Sequence, residues 1–233
     1  MKLLTDTKHR GAFEQAFVAF SNLCALLWKT SHPQLHSLPQ KILNDILDAV
    51  TSSKKSNKTK ICATRRSAGV PFIIQAVLTS NIPSSGPLLR STMKKLISTA
   101  VDENTERENK IHCMNILRAL FRDAKLGESV GSFIEDGVIL AVDGFKSENW
   151  AERNSATLLF SALMTRIFGV KREKDNISSK NCLTGKIFFQ RHPKLYQYFL
   201  NQFTNQNELS SNQKSGVLVL DCALYPILLM LSR

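Results

Sequence analysis

Residues 11–33 read GAFEQAFVAFSNLCALLWKTSHP. Phe13, Phe17, Phe20, Cys24 and Leu27 recur at offsets of three and four, which sets one apolar stripe along a helix rather than the two-residue alternation of a strand. The helix is expected to end near Ser31, because Pro33 has no N–H to donate and pushes the residue before it out of helical backbone. Ser37 followed by Gln40 has the spacing of a capping box. It leads into Ile42, Leu43, Ile46, Leu47 and Val50, a second stripe of the same period. Two such helices across a short Pro-containing loop make an αα-hairpin, the unit in which the rest of the chain can be read.

The same period continues outward. Phe72, Ile73, Ala76 and Val77 mark a third helix, and a fourth is expected to open at Pro87 with Leu89, Met93, Leu96, Ile97 and Ala100 on one face. Thr105 with Glu108 repeats the capping-box spacing before Ile111, Met114, Leu117 and Phe121. A sixth helix around Val130 to Val142 packs Phe133, Ile134, Val138 and Ala141 despite its glycines. Ser147 is expected to cap a long helix from Asn149 to Phe168, closed by Gly169 just past its end. A short helical turn should follow Thr184. Pro193 should open a further helix with Leu195, Tyr196, Phe199, Leu200 and Phe203 facing inward. Val217 to Leu231 is apolar on nearly every side, yet it is shorter than a bilayer span of about 20 residues and contains Asp221 and Pro226, so it reads as a buried helix. No run alternates as a strand would.

Helix pairs of about 40 to 47 residues have the period of HEAT and armadillo repeats. The expected fold is therefore all-α, a single armadillo- or HEAT-like α-solenoid of antiparallel helix pairs over residues 1–233. Its uncapped apolar end suggests a fragment or short form of a longer solenoid. An irregular helical bundle has the same periodicity, but no long connection points to one.

The 233 residues are 43% hydrophobic, with few glycines and prolines, which excludes disordered and low-complexity classes. Thirty-one Lys and Arg against 19 Asp and Glu leave 31 − 19 = +12, a surplus that favours polyanionic partners. Cys24, Cys62, Cys113, Cys182 and Cys222 are odd in number and never closely paired, which opposes a disulfide framework and a zinc site and points to a reducing, cytoplasmic compartment. No apolar signal region follows Met1. His32 and His36 read as loop residues rather than metal ligands. The glycine-rich nucleotide loops, HExxH and GxSxG are all missing, so no cofactor, metal or catalytic residue is expected.

Three segments place polar groups where an amphipathic helix does not need them. In Arg65-Arg66-Ser67-Ala68-Gly69-Val70-Pro71, the proline forces a helix to begin or kink, leaving backbone N–H groups beside two guanidiniums. With Lys54, Lys55, Lys58 and Lys60 upstream, this makes a candidate phosphate site; carboxylates of a neighbouring repeat are the alternative partners of the arginines. In HCMNILRALFRD, residues 112–123, Asn115, Arg118 and Arg122 share one helix face. Their other reading is helix capping. In WAERNSATLLFSALMTRIFG, residues 150–169, Arg153 and Asn154 near a helix start could bind phosphate or join a hydrogen-bond ladder between repeats.

These three segments, in this order, resemble the signatures of the domain of unknown function shared by the THADA (thyroid adenoma-associated) family and its fungal counterparts, over about residues 61–169. Arg65, Arg66, Ser67, Ala68, Gly69 and Pro71 match the family's basic glycine-proline segment. The resemblance implies a very long armadillo-like protein that is not itself an enzyme. It also implies an FtsJ-like methyltransferase partner that methylates a ribose 2′-hydroxyl in the anticodon loop of tRNA, and tRNA as a second partner, without a membrane. The rival expectation is an armadillo-type scaffold whose basic loop meets an acidic protein and no RNA.

Overall fold

The computed structural model describes Leu4 and residues 9–52, 69–169, 183–211 and 222–233. All regular structure among them is helical. They form two compact units, residues 1–131 and 132–233.

In the first unit the helices are α1 (Arg10–Lys29), the short α2 (Pro33–His36), α3 (Leu38–Thr51), α4 (Val70–Thr79), α5 (Ile82–Val101) and α6 (Arg107–Arg122). Helix α1 buries Phe20 and Cys24 of its predicted stripe, and Phe13 and Phe17 meet Phe72 edge-on at 4.9 and 5.8 Å. Helix α4 packs against α1, α3, α5 and α6. It is too short to persist alone, and burial of Val70, Ile73, Ile74, Ala76, Val77 and Leu78 on all its sides holds it in place. Burial also pushes the thiols of Cys24 and Cys113 up to about 11 and about 12, so both behave as small core hydrophobes.

The turn from α5 to α6 is closed by Asp102. Its carboxylate accepts from Asn104 N–H at 3.0 Å and from the Thr105 hydroxyl at 3.3 Å, and the backbone bond from Asn104 is the main cause holding its pKa below the ordinary value. This overturns the capping box expected at Thr105: its hydroxyl is committed to Asp102, and Glu106 occupies the N-cap without a side-chain bond. The box at Ser37 also fails, because Ser37 has helical backbone (φ −80, ψ −13) and its hydroxyl donates back to the carbonyl of Gln34. Nor does Pro87 open a helix. It lies inside α5, which starts at Ile82, so the helix runs through a position with no backbone N–H to donate.

A 3₁₀ turn (Gly131–Phe133) leads into the second unit, which contains α7 (Ile134–Gly144), α8 (Trp150–Phe168), α9 (Gly185–Arg191), α10 (Pro193–Ser211) and α11 (Leu224–Leu231). The N-cap of α8 is Asn149, not Ser147: the Asn149 carboxamide accepts from Ala151 and Glu152 N–H at 3.0 and 3.1 Å. Ser147 stands behind the cap, accepting from Asn149 N–H and donating to Glu152. Gly169 ends α8 at φ 75, a left-handed conformation that glycine adopts without strain. Thr184 caps α9 by accepting from Ile187 N–H.

A polar ladder joins α7 and the turn after it to α10. Lys194 Nζ donates to Asp136 at 3.1 Å, the Tyr198 hydroxyl to Asp143 at 2.5 Å, and Lys146 Nζ to Gln202 at 2.6 Å. Both members of each rung advance together along the chain, so α7 and α10 run in the same direction. The last helix is only half buried, with Leu224, Ile227 and Met230 inside but Tyr225, Leu228 and Leu231 68%, 55% and 48% exposed. That corrects the expectation of a wholly buried helix; Val217 to Asp221 lie outside the described residues. Among the described residues no helix is long and apolar enough to cross a membrane.

Candidate nucleic-acid interface

Helix α6 is built for the interior. Ile111, His112, Cys113, Met114, Ile116, Leu117, Leu120 and Phe121 are all buried. Between Ile111 and Arg122 the residues that reach the surface are Asn115, Arg118, Ala119 and Arg122, and Asn115, Arg118 and Arg122 keep the offsets of three and four that the sequence predicts for one face. Solvent therefore meets this part of α6 through a strip that carries two guanidiniums and an amide.

Arg118 is partly buried and Arg122 exposed. Among the described residues no hydrogen bond or ion pair holds either guanidinium. Burial first, and the positive charge of Arg122 second, hold Arg118 below its ordinary pKa. Both findings describe a cation placed where its charge is costly, next to another cation. Arg122 gains from the negative end of α6, which helps one arginine but leaves the pair repelling. The adjacent Asp123 closes the following turn, accepting from Gln75 Nε2 at 2.5 Å and from the N–H groups of Lys125 and Leu126 at 2.7 and 3.3 Å.

Arg153 on α8 has a different fate. Its Nη1 donates to the carbonyls of Ser147 and Glu148, both at 2.7 Å, tying the first turn of α8 to the loop before it. Asn154 beside it is exposed.

For the basic glycine-proline segment, the described part begins at Gly69. Gly69 is the N-cap of α4 and Pro71 lies in its first turn, so a helix does begin where the proline requires; Gly69, Val70 and Pro71 are buried. Lys54, Lys55, Lys58, Lys60, Arg65, Arg66 and Ser67 lie outside the described residues. His32 and His36 bound the short α2 rather than a loop, and the His36 ring meets Trp28 edge-on at 5.5 Å. Among the described residues no group of three His, Cys, Asp or Glu could hold a metal. Sequence reasoning missed the α7–α10 ladder; its signal was the matched order of Asp136, Asp143 and Lys146 against Lys194, Tyr198 and Gln202.

A family model described as THADA/TRM732, DUF2428 matches residues 1–151, and one described as Trm732, C-terminal TPR repeats matches residues 153–233. The chain is 49% identical over 203 residues to the human "tRNA (32-2'-O)-methyltransferase regulator THADA", covering 85% of this chain and 10% of the relative. It is 46% identical over 235 residues to the dog protein of that name, covering 99% of this chain and 12% of the relative. To the fission yeast "tRNA (32-2'-O)-methyltransferase regulator trm732" it is 32% identical over 244 residues, covering 100% of this chain and 15% of the relative. The chain thus spans between 10% and 15% of the length of these relatives. No solved structure matches it.

Proposed function

The chain belongs to the THADA/TRM732 family, and from that membership we propose that it is the tRNA-holding part of a non-catalytic regulator of a tRNA 2′-O-ribose methyltransferase. The relatives are named as regulators of such an enzyme, not as the enzyme. The partner is an FtsJ-like methyltransferase acting on the anticodon loop, in the cytoplasm. It supplies the methyl donor and the transfer chemistry, while this chain supplies position, by raising the effective concentration of the target ribose at the enzyme.

The observation that carries the reading is the Arg118–Arg122 strip. Two adjacent guanidiniums on the accessible face of an otherwise buried helix gain most from a ligand with closely spaced negative charges. A phosphodiester backbone has them, and guanidinium binds phosphate in a bidentate manner. The basic segment of Lys54, Lys55, Lys58, Lys60, Arg65, Arg66 and Ser67 extends the same proposal to further phosphates, and the net charge of +12 fits a polyanion. With the seven-residue α9 as a connection, α7–α8 and α10–α11 make successive pairs, and the parallel course of α7 and α10 supports an armadillo- or HEAT-like stack, in which equivalent helices run the same way.

The test is binding of tRNA to the chain over a series of salt concentrations, with Arg118→Ala/Arg122→Ala as comparison. Salt-sensitive binding that the double variant weakens, with its helical content unchanged, supports the reading. Binding of an acidic peptide with no tRNA binding overturns it in favour of a protein-interaction scaffold.

A further inference from the structure

A cavity of about 530 Å³ opens in the first unit between α1, α2, α3 and α5. Its described walls include Trp28 and His36, the amides of Gln40 and Asn81, and the ring of Pro87. That volume lies within the range of small-molecule sites. Two features of the walls are not explained by packing. The Trp28 indole N–H is buried without an acceptor, a cost tolerated where the placement of the ring serves something else. Asn81 occupies the N-cap position of α5, where its residue type is favoured for capping, yet its side chain makes no cap bond.

We propose that this cavity receives one unstacked nucleobase of a single-stranded RNA, a reading that rests on the tRNA-holding role above. An indole with an imidazole set at 82° to it offers an aromatic surface on which a base can stack. Gln40 and Asn81 each carry a donor and an acceptor, the combination that reads a base edge. Among the described walls no Lys, Arg, Asp or Glu is present, so nothing there neutralises a phosphate or a charged side chain, and a neutral planar heterocycle is the ligand the walls complement. The chain's surplus of positive charge brings the polyanion to which such a base is attached.

The probe is an abasic ribose-phosphate heptamer carrying one base at its centre, compared with the same heptamer carrying none. Trp28 and Trp150 are the chain's tryptophans, and Trp150 is 68% exposed, so Trp150→Phe leaves Trp28 as the reporter of emission. The base-bearing heptamer should quench Trp28 saturably and bind about fivefold more tightly or better. Gln40→Ala, at an exposed position, and Asn81→Ala, which removes no cap bond, should abolish that advantage. Equal affinity of both heptamers, or an advantage unchanged in both variants, overturns the proposal. If both heptamers bind equally and with salt sensitivity, the cavity assignment fails and the tRNA reading stands; if neither binds, both fail. Quenching by a neutral aromatic peptide with no response to RNA also overturns it, in favour of a protein ligand.

Discussion

Helices α6 and α8 both carry the Arg-and-Asn pattern that sequence reasoning picks out, yet they use it in opposite ways. On α8, Arg153 sits in the first turn, where it reaches back to the carbonyls of Ser147 and Glu148, while Asn149 satisfies two N–H groups of the helix start. On α6, Arg118 and Arg122 sit in the last turns, and among the described residues no acceptor holds them; each is the other's electrostatic neighbour. Arg153 reaches the Ser147 and Glu148 carbonyls of the loop before its helix, whereas Arg118, partly buried, and Arg122, exposed, lie on the accessible strip of a helix whose other faces are packed. The same two residue types thus build a fold in one place and leave a binding surface in the other.

The largest effect should come from the scaffold under the strip. Phe121 is fully buried beside Arg122, and Phe121→Ala should cost about 3–5 kcal/mol, seen as a large drop in the melting temperature of the first unit. A small shift would mean that α6 is not held from within, and the contrast with α8 would lose its basis. Next in size is Arg118→Ala/Arg122→Ala. Removing each charge-assisted bond to phosphate should weaken tRNA binding by about 1.5–3 kcal/mol, and the slope of log affinity against log salt should fall by about 0.9 per phosphate released, on the scale of a nucleic-acid duplex. Stability should hold or rise, because a repelling pair is removed. A double variant that melts early with tRNA affinity per folded molecule intact would put α6 in the same class as α8.

Arg153→Ala makes the converse test. Losing its two bonds to loop carbonyls should destabilise the second unit by about 1.5 kcal/mol, and Asn149→Ala should cost about 1 kcal/mol by removing the cap. Neither change should alter the salt slope for tRNA. A shallower slope with Arg153→Ala in a folded protein would show that the arginine meets phosphate despite its carbonyls.

Helix positions were legible in the sequence: the stripe from Phe13 to Leu27 follows from the helical period, and the start at Pro193 and the stop at Gly169 each follow from one residue's geometry. The shared face of Asn115, Arg118 and Arg122 was legible for the same reason. Capping was not. A hydroxyl has several acceptors within reach, and Thr105 chose Asp102 while Ser37 chose the Gln34 carbonyl, choices fixed by backbone angles that spacing does not encode. Pro87 misled because a proline marks a helix start only on average, and α5 absorbs the loss of one hydrogen bond. The commitment of Arg153 was equally hidden, since it depends on where a loop turns its carbonyls. The cavity beside Trp28 joins residues from four helices, a tertiary fact that no local pattern shows.

The smallest predicted effect separates the two regions by pH. His192 ends α9 and lies edge-on to Phe188 at 5.3 Å; burial is the main cause holding its pKa below the ordinary 6.5, with Arg191 acting the same way and Glu135 opposing. A histidine that is harder to protonate when folded binds its proton first in the unfolded chain. Its contribution to stability is therefore full above 6.5 and declines as pH falls through 6.5 toward the folded value, below which it levels off. Melting temperatures of the wild-type chain and of His192→Gln, each taken on both sides of 6.5, should show a larger acid loss in the wild type. Equal losses would remove His192 as the cause. His192 is not among the residues proposed to meet phosphate, so wild type and variant should bind tRNA with the same affinity at each pH while both are folded. A difference in affinity between them would mean that the second unit shares in binding phosphate, and the division of labour between α6 and α8 would no longer hold.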